Sequence, residues 1–381
     1  FKVAEGHVKR SVQSAKDVLH KAMMQIEEAS KNTSTFNGVP SGFMAVDRVT
    51  LGWQPSDLII IAARPAMGKT AFVLSMAKNI AVDFNIPVAI FSLEMSNVQL
   101  INRLIMNVCE IEGNKIRNGR LTAAEWDRLE NRINVLEKAP IYVDDTPGLS
   151  VFELQSKARK LVKDKKVQLI IIDYLQLMNA NGSSFGSREQ EVSIISRRLK
   201  WIAKELDIPV IALSQLNRNV EKRDSSNSNV EGKKPQLSDL RESGAIEQDA
   251  DMVCFIHRPE YYRIFNDDKT GKDLRGLGEI IVAKHRNGAT DEVWLRFVSK
   301  FARFENENEI YRDKMYDNVM NKFRWGGLDQ VGNGEIYLDE TVRRMVTTHR
   351  STLVDLITAL YNEGVSALYY STGDSTGVVA N

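Results

Sequence analysis

Unbroken apolar runs alternate along this chain with segments whose apolar positions recur every three or four residues. The first kind reads as buried strands and the second as amphipathic helices. Residues 58–63, Leu-Ile-Ile-Ile-Ala-Ala, form the first long run. Residues 87–92, 141–144, 167–173, 209–213, 252–256 and 278–284 read as further strands, with 292–297 as the last. Helices are expected between them: residues 71–81 after the first strand, then segments opened by Ser96 with Gln99 and by Thr122 with Glu125. Each pair has the spacing of a capping box, in which the two side chains satisfy each other's free backbone N–H groups. Ser150 with Glu153 opens a helix running to about Lys163. Residues 187–206 form a long helix with Val192, Ile195, Leu199, Ile202 and Leu206 inward. Strands alternating with helices predict an α/β fold, a mostly parallel twisted sheet with helices on both faces. Ligands of such sheets bind at the carboxyl ends of the strands, and every motif discussed below is expected at that edge.

Other stretches break the rhythm. Residues 38–42, Gly-Val-Pro-Ser-Gly, are turn chemistry, and 43–51 leads into the opening strand. Residues 179–187 and 216–237 are long polar loops leaving strand ends, the length at which loops carry function or lack order. Residues 1–32 read as an amphipathic helix through Val8, Val12, Ala15, Val18, Leu19, Ala22, Met23, Ile26 and Ala29. It packs either on its own domain or on a neighbouring subunit. Composition shifts after about Asn306. Residues 311–325 and 340–361 look helical, with a stripe of Met345, Val346, Leu353, Ile357 and Leu360 more typical of core than of interface. The expected organisation is a helix over 1–35, a catalytic-type domain over 36–304 and a mostly helical extension of unknown role over 305–381.

Composition narrows the class. The chain has 381 residues, 43% hydrophobic and 27% charged, in the range of soluble multi-domain proteins. With 51 basic and 50 acidic residues the net charge is +1, so any nucleic-acid site must be a local feature. Lys222, Arg223, Lys233 and Lys234 supply local positive charge, or simply a solvated run. Cys109 and Cys254 are far apart, lack metal-type spacing and read as buried free thiols. No apolar run reaches the roughly 18 residues of a membrane span, so no membrane partner and a cytoplasmic location are expected. Phe1 opens the chain with no signal-like segment behind it, as expected of a fragment.

The chemistry begins at residues 63–70. Ala63, Arg64, Pro65, Ala66, Met67, Gly68, Lys69 and Thr70 form a tight loop between the first strand and a helix. Backbone N–H groups of such a loop, with the helix N-terminus, cradle phosphate oxygens. Lys69 is placed to reach β- and γ-phosphates, and the Thr70 hydroxyl to bind Mg²⁺. The general pattern asks for Gly where this chain has Ala63. Asp173 ends the apolar strand 167–173 and is either an ordinary strand-end acid or the second Mg²⁺ ligand. Glu94 follows strand 87–92, expected beside the phosphate-loop strand. It is either a helix-entry acid or the base that deprotonates an attacking water. Gln215 ends strand 209–213 and is either a polar cap or a sensor of the γ-phosphate. Read from its residues alone, Lys-His-Arg-Asn-Gly at 284–288 is a charged turn, and His257-Arg258-Pro259 has no assigned role.

Six stretches together resemble the replicative DNA helicases of bacteria, the DnaB family. They are residues 63–70, Phe-Ser-Leu-Glu-Met at 91–95, Ile-Ile-Asp-Tyr-Leu-Gln-Leu at 171–177, Ala-Leu-Ser-Gln-Leu-Asn at 212–217, residues 239–251 and residues 284–288. The resemblance spans roughly 1–304, and Ala at position 63 is common in that family. It implies a RecA-like ATPase working as a homo-hexameric ring with ATP between subunits. It implies that Lys69 and Thr70 hold phosphates and Mg²⁺, Asp173 the metal, and that Glu94 is the catalytic base. Lys284 and Arg286 match a pair acting on the neighbouring subunit's γ-phosphate, and helix 1–32 matches a linker docking on that neighbour. Arg241, Glu242 and Gly244 match the loop that follows the phosphates of single-stranded DNA, contacts that carry no base information. Phe185 is the one aromatic residue in the two long loops, so backbone-led binding is expected rather than stacking. Primase and a helicase loader are the family's partners. Its N-terminal collar, which recruits primase, has no counterpart in this sequence, and the tail after 306 does not match.

Two other classes fit a phosphate loop in this fold. A recombination or repair ATPase coating DNA as a filament would carry a polymerisation strand before the core, and none is evident. A nucleotide-binding regulator would not need Glu94, Asp173 and Gln215 together. The linker-type helix and the Lys284/Arg286 pair favour the ring helicase.

Overall fold

The six apolar residues at the centre of the pattern form strand β1 (Leu58–Ala63), and all six are buried. Side chains of a strand alternate between faces, so a strand without a polar position needs cover on both. In this computed structural model, which describes residues 38–180, 187–217, 233–240, 244–267 and 269–307, seven positions between 14 and 24 and two short strands near the C-terminus, both covers are present. Ile59, Ile61 and Ala63 pack against Phe43, Val46, Phe72, Met76, Leu100 and Leu104. Leu58, Ile60 and Ala62 pack against Leu154, Ala158, Ile195, Leu199, Ile202 and Ile246.

The strands after β1 are β2 (Val88–Ser92), β3 (Ile141–Asp144), β4 (Leu169–Asp173), β5 (Val210–Gln215), β6 (Met252–His257), β7 (Leu277–His285), β8 (Asp291–Val298) and β9 (Arg303–Asn306). They form one sheet in the order β3-β2-β4-β5-β1-β6-β7-β8-β9. From β3 to β6 every pairing is parallel. β7 then turns back antiparallel to β6, and β8 antiparallel to β7. Parallel neighbours need long crossovers, which the helices supply. These are α1 (Met44–Thr50), α2 (Lys69–Lys78), α3 (Asn97–Cys109), α4 (Gly113–Asn118), α5 (Ala123–Lys138), α6 (Val151–Lys165), α7 (Arg188–Leu206) and α8 (Gly244–Asp249). The mostly parallel α/β architecture expected from the sequence is the one observed.

Local signals set the helix starts. Ser96 with Gln99 and Thr122 with Glu125 both close complete capping boxes. Ser150 and Ser187 accept from the backbone N–H groups of Glu153 and Gln190. Both cysteines are buried and free, and burial pushes the Cys254 thiol up to about 12.

The structure corrects several expectations. Residues 43–51 do not run straight into β1 but form α1, after which Val39 bridges to Trp53. α2 ends at Lys78 and gives way to a π-helical turn over Asn79–Asp83. α4 was not expected, because its six residues carry no apolar period. The strand over 292–297 is not the last of the sheet, since β9 follows it. β2 is not beside β1: β4 and β5 lie between them. Most of the expected helix over 1–32 lies outside the described residues, although Leu19, Met23 and Met24 of that segment are described and exposed. The chain divides into two compact units, Phe1–Glu305 and Asn306–Asn381. In the second, β10 (Tyr369–Ser371) pairs antiparallel with β11 (Thr376–Val378), and the helices expected at 311–325 and 340–361 lie outside the described residues.

Asp57 sits buried just before β1. Burial, then the nearby Asp251 carboxylate, push its pKa up to about 6 against the pull of Lys200, His285 and Arg286. A carboxyl raised on folding stabilises the fold below its unfolded pKa and loses that contribution as pH rises through about 6. Asp57→Asn is therefore expected to raise the melting temperature at pH 8 by a few degrees, equivalent to about 2 kcal/mol, and to leave it unchanged near pH 4. Calorimetric scans across that range check the prediction.

Candidate functional site

The loop after β1 is held from both ends. Ala63 is the last residue of β1 and pairs with Gln215 at the end of β5. Ala66 and Gly68 take left-handed backbone conformations, with φ of 64° and 95°. A Cβ on Gly68 would also stand 3.1 Å from the Phe304 ring, so both backbone and space require glycine there. Arg64 and Met67 are buried while Pro65 and Ala66 are exposed. α2 starts directly at Lys69, and the Phe72 N–H donates to the Gly68 carbonyl at 2.8 Å. The N-terminal amides of α2 thus face the loop, as a phosphate cradle requires.

The charged groups converge on that cradle. The Thr70 hydroxyl donates to Asp173 Oδ2 at 2.8 Å. The Lys69 ammonium donates to the Ser214 carbonyl at 2.9 Å and lies 5.3 Å from the centre of the Tyr174 ring. Burial pushes Lys69 down to about 8, against the pull of Asp173 and Glu94. Burial also raises Asp173, opposed by its bond to Thr70 and the charge of Lys69. Asp173 is a buried charge and Lys69 a half-buried one, both short of full compensation, the condition in which a polyanion and a cation bind favourably. Thr70 and Asp173 offer hard oxygen donors side by side, which fits Mg²⁺.

Glu94 is exposed at the mouth of this pocket. Although two strands separate β2 from β1, its charge is felt at both Lys69 and Asp173. Ser92 pairs with Asp173, so the turn after β2 reaches over the end of β4 rather than standing beside the phosphate loop. Gln215 and Asp173 close β5 and β4 at the same edge.

Sequence reasoning missed several contributors. Arg103 on α3 lies close enough to Asp173 to lower its pKa; its spacing of two helical turns from the cap at Ser96 was the available signal. Gln176 donates to the Ser214 hydroxyl at 2.8 Å, behind the carbonyl that holds Lys69. Arg258, whose motif had no assigned role, stacks 3.9 Å over the Phe297 ring and donates to the Ala66 carbonyl at 3.4 Å.

Lys284 and Arg286 are not at this edge, contrary to expectation. β7 runs antiparallel to β6, so its carboxyl end lies at the amino end of the parallel strands. Val253 pairs with Lys284 and also with Ile60 of β1, and Arg286 N–H donates to the Asp251 carbonyl at 2.9 Å, just before β6. Arg286 is thus level with Leu58, while the phosphate loop starts beyond Ala63. At about 3.3 Å per residue that separation is ~16 Å along the sheet. Gly244 opens α8 and is exposed; Arg241 and Glu242 lie outside the described residues.

The model of the DnaB-like helicase C terminal domain matches residues 38–306. The chain belongs to that family. It is 44% identical over 313 residues to the replicative DNA helicase DnaC of Bacillus subtilis, covering 82% of this chain and 66% of that protein. It is 46% identical over 291 residues to the replicative DNA helicase DnaB of Geobacillus stearothermophilus, covering 76% and 61%. The chain therefore spans less than two thirds of the length of these relatives. Among solved structures, the ATPase domain of G40P matches with a TM-score of 0.68 and 39% identity over 78% of this chain and 99% of that one. A DnaB-like replicative helicase, described with its interactions with primase, matches with a TM-score of 0.66 and 39% identity over 78% and 67%. The fold is accordingly that of the RecA-like ATPase domains of this family, the 38–306 match covering every strand of the main sheet.

The raised Asp173 gives a test of the metal pair. Without ligands, Asp173→Asn is expected to melt above the wild type at pH 8, because a buried charge is removed. The gap should close toward pH 4, where the wild-type carboxyl protonates. Adding MgATP should raise the wild-type melting temperature and leave the variant nearly unmoved; thermal shift at both pH values reads both effects.

Proposed function

We propose that this chain is the motor part of a replicative DNA helicase, in which ATP hydrolysis moves a homo-hexameric ring along single-stranded DNA and opens the duplex. The observation that carries this reading is the placement of Lys284 and Arg286. Along β1, Arg286 is ~16 Å and Lys284, level with Ile60, ~10 Å from their own phosphate loop, and both side chains are engaged at the end of α8 instead of turning toward it. A copy whose amino edge faces that loop can bring them to it. A cation supplied across an interface stabilises transition-state charge and ties hydrolysis to assembly.

In this mechanism the backbone of residues 63–68 holds the phosphates. Lys69 leaves the Ser214 carbonyl for the β- and γ-oxygens. Thr70 and Asp173 hold Mg²⁺, which supplies neutralisation of the charge spreading over the phosphates. Glu94 takes the proton of the attacking water from the open side of the pocket. Gln215 contacts the γ-phosphate and senses its presence. Gly244, with Arg241 and Glu242, follows the DNA backbone. The solved relative described with primase makes primase a partner to test for this chain, together with a helicase loader.

The expected biochemistry is Mg²⁺-dependent ATP hydrolysis stimulated by single-stranded DNA, with displacement of one strand from a forked duplex. Lys69→Ala should abolish turnover. Glu94→Gln should bind ATP as tightly as the wild type and hydrolyse it at least ~100-fold more slowly; normal turnover by Glu94→Gln would remove the assigned base. DNA-stimulated hydrolysis without strand displacement, on filaments rather than rings in electron micrographs, would instead point to a recombination-type ATPase.

The interface has its own test. Arg286→Ala and Lys69→Ala subunits are each expected to be inactive alone. Mixed in one ring, they should recover part of the wild-type rate, because some junctions then join an intact phosphate loop to an intact Arg286. Absence of recovery at every mixing ratio would exclude action across the interface.

A further inference from the structure

Lys284 and Arg286 are not free side chains in this structure. Arg286 Nη1 donates to Asp251 Oδ1 at 3.2 Å, and Nη2 to the Gln248 carbonyl. Lys284 Nζ donates to the Ala250 carbonyl at 2.8 Å and to the Glu247 carbonyl. The acceptors are the last carbonyls of α8 and the residues directly after it, groups that a helix C-terminus leaves unsatisfied and that favour cations. Asp251 is fixed in turn. Its Oδ2 accepts from the Leu58 N–H at 2.8 Å and from Lys200 Nζ, and its own N–H donates to the Leu58 carbonyl at 2.9 Å. Asp251 is 5% exposed, whereas the Arg286 side chain is 46% exposed. A guanidinium has five N–H donors and an ammonium three, so each cation keeps donors for a further acceptor on its exposed side.

We infer that Asp251 is a positioning residue for Arg286: with the carbonyls closing α8 it holds the Lys284/Arg286 pair rigidly at the sheet edge, aimed outward at a phosphate on a neighbouring copy. The inference rests on the proposed action across the interface. Long cationic side chains lose much rotamer freedom when they engage a ligand, and a cradle that orders them beforehand removes that loss from the reaction step. The same cradle ties the pair to α8, whose first residue, Gly244, belongs to the stretch assigned to DNA. A shift of α8 on the strand therefore moves both cations.

The test uses the full chain in rings. Asp251→Asn should lower kcat for ATP ~10- to 100-fold, the scale of a misplaced catalytic group, and leave KM within about twofold. Its defect should reside in the subunit donating Arg286. Mixing Asp251→Asn with Lys69→Ala subunits should then restore activity to the same extent as mixing Arg286→Ala with Lys69→Ala. The double variant Asp251→Asn/Arg286→Ala should be no slower than Arg286→Ala alone. Lys200→Met removes the other cation on Asp251 and should lower the melting temperature without changing kcat. A purely structural Asp251 would act through Leu58 on its own β1 and phosphate loop. Mixing would then rescue Arg286→Ala but not Asp251→Asn, and that result overturns the inference while leaving the interface reading intact. If Arg286→Ala itself is not rescued, the interface reading fails and the inference with it. Should Asp251→Asn not fold, Asp251→Glu keeps the charge while shifting the carboxylate by one methylene, and the same mixing experiment decides.

Discussion

The structure depends on the complete burial of β1. A strand with no polar position must be sandwiched, and at about 1.5–3 kcal/mol per large apolar side chain its register is strongly fixed. Because β1 lies between β5 and β6, its end pairs with the end of β5, Ala63 with Gln215, while β4, whose Ile172 pairs with Ala212, ends two residues lower at the same edge. Lys69, Gln215 and Asp173 are placed by that register. Their convergence is thus set by the hydrophobic core below the pocket rather than by attraction among the charged groups, which burial opposes.

A second constraint is the reversal at β7. Had the sheet stayed parallel, the cations after β7 would have emerged beside the phosphate loop and a single copy could have completed its own site. Reversal sends them to the opposite edge, where α8 and Asp251 receive them. The phosphate loop and the two cations then face opposite directions on one sheet. Head-to-tail contact of identical surfaces closes rings when the rotation permits, so the strand direction is compatible with a ring of copies.

What the sequence made legible were features written within a few residues. The phosphate loop, the capping boxes at Ser96 and Thr122 and the apolar strands depend on short spacings, and each stands where expected. Strand order and direction arise from contacts far apart in sequence, and no local pattern encodes them. Glu94 was accordingly placed beside β1 although it reaches the pocket over β4, and Lys284 and Arg286 were placed at the wrong edge. Short elements such as α4 and β9 escaped because four to six residues carry too little periodicity. Arg103 escaped because one arginine on an amphipathic helix looks like any solvated charge. The residues shared with the DnaB family pointed to the family, but they did not reveal that the phosphate loop and Arg286 lie about the length of β1 apart.

Lys69 carries a thermodynamic consequence of its own. In the described state its ammonium rests on a single carbonyl, with a pKa near 8. Part of the population is therefore uncharged at mildly alkaline pH. Arrival of a polyanion would restore the full charge, so its binding in that range would take up a fraction of a proton from the medium. The apparent affinity then falls as pH rises above about 8, and the heat of binding depends on the ionisation enthalpy of the buffer. Anion binding at this loop would in this way be coupled to proton concentration.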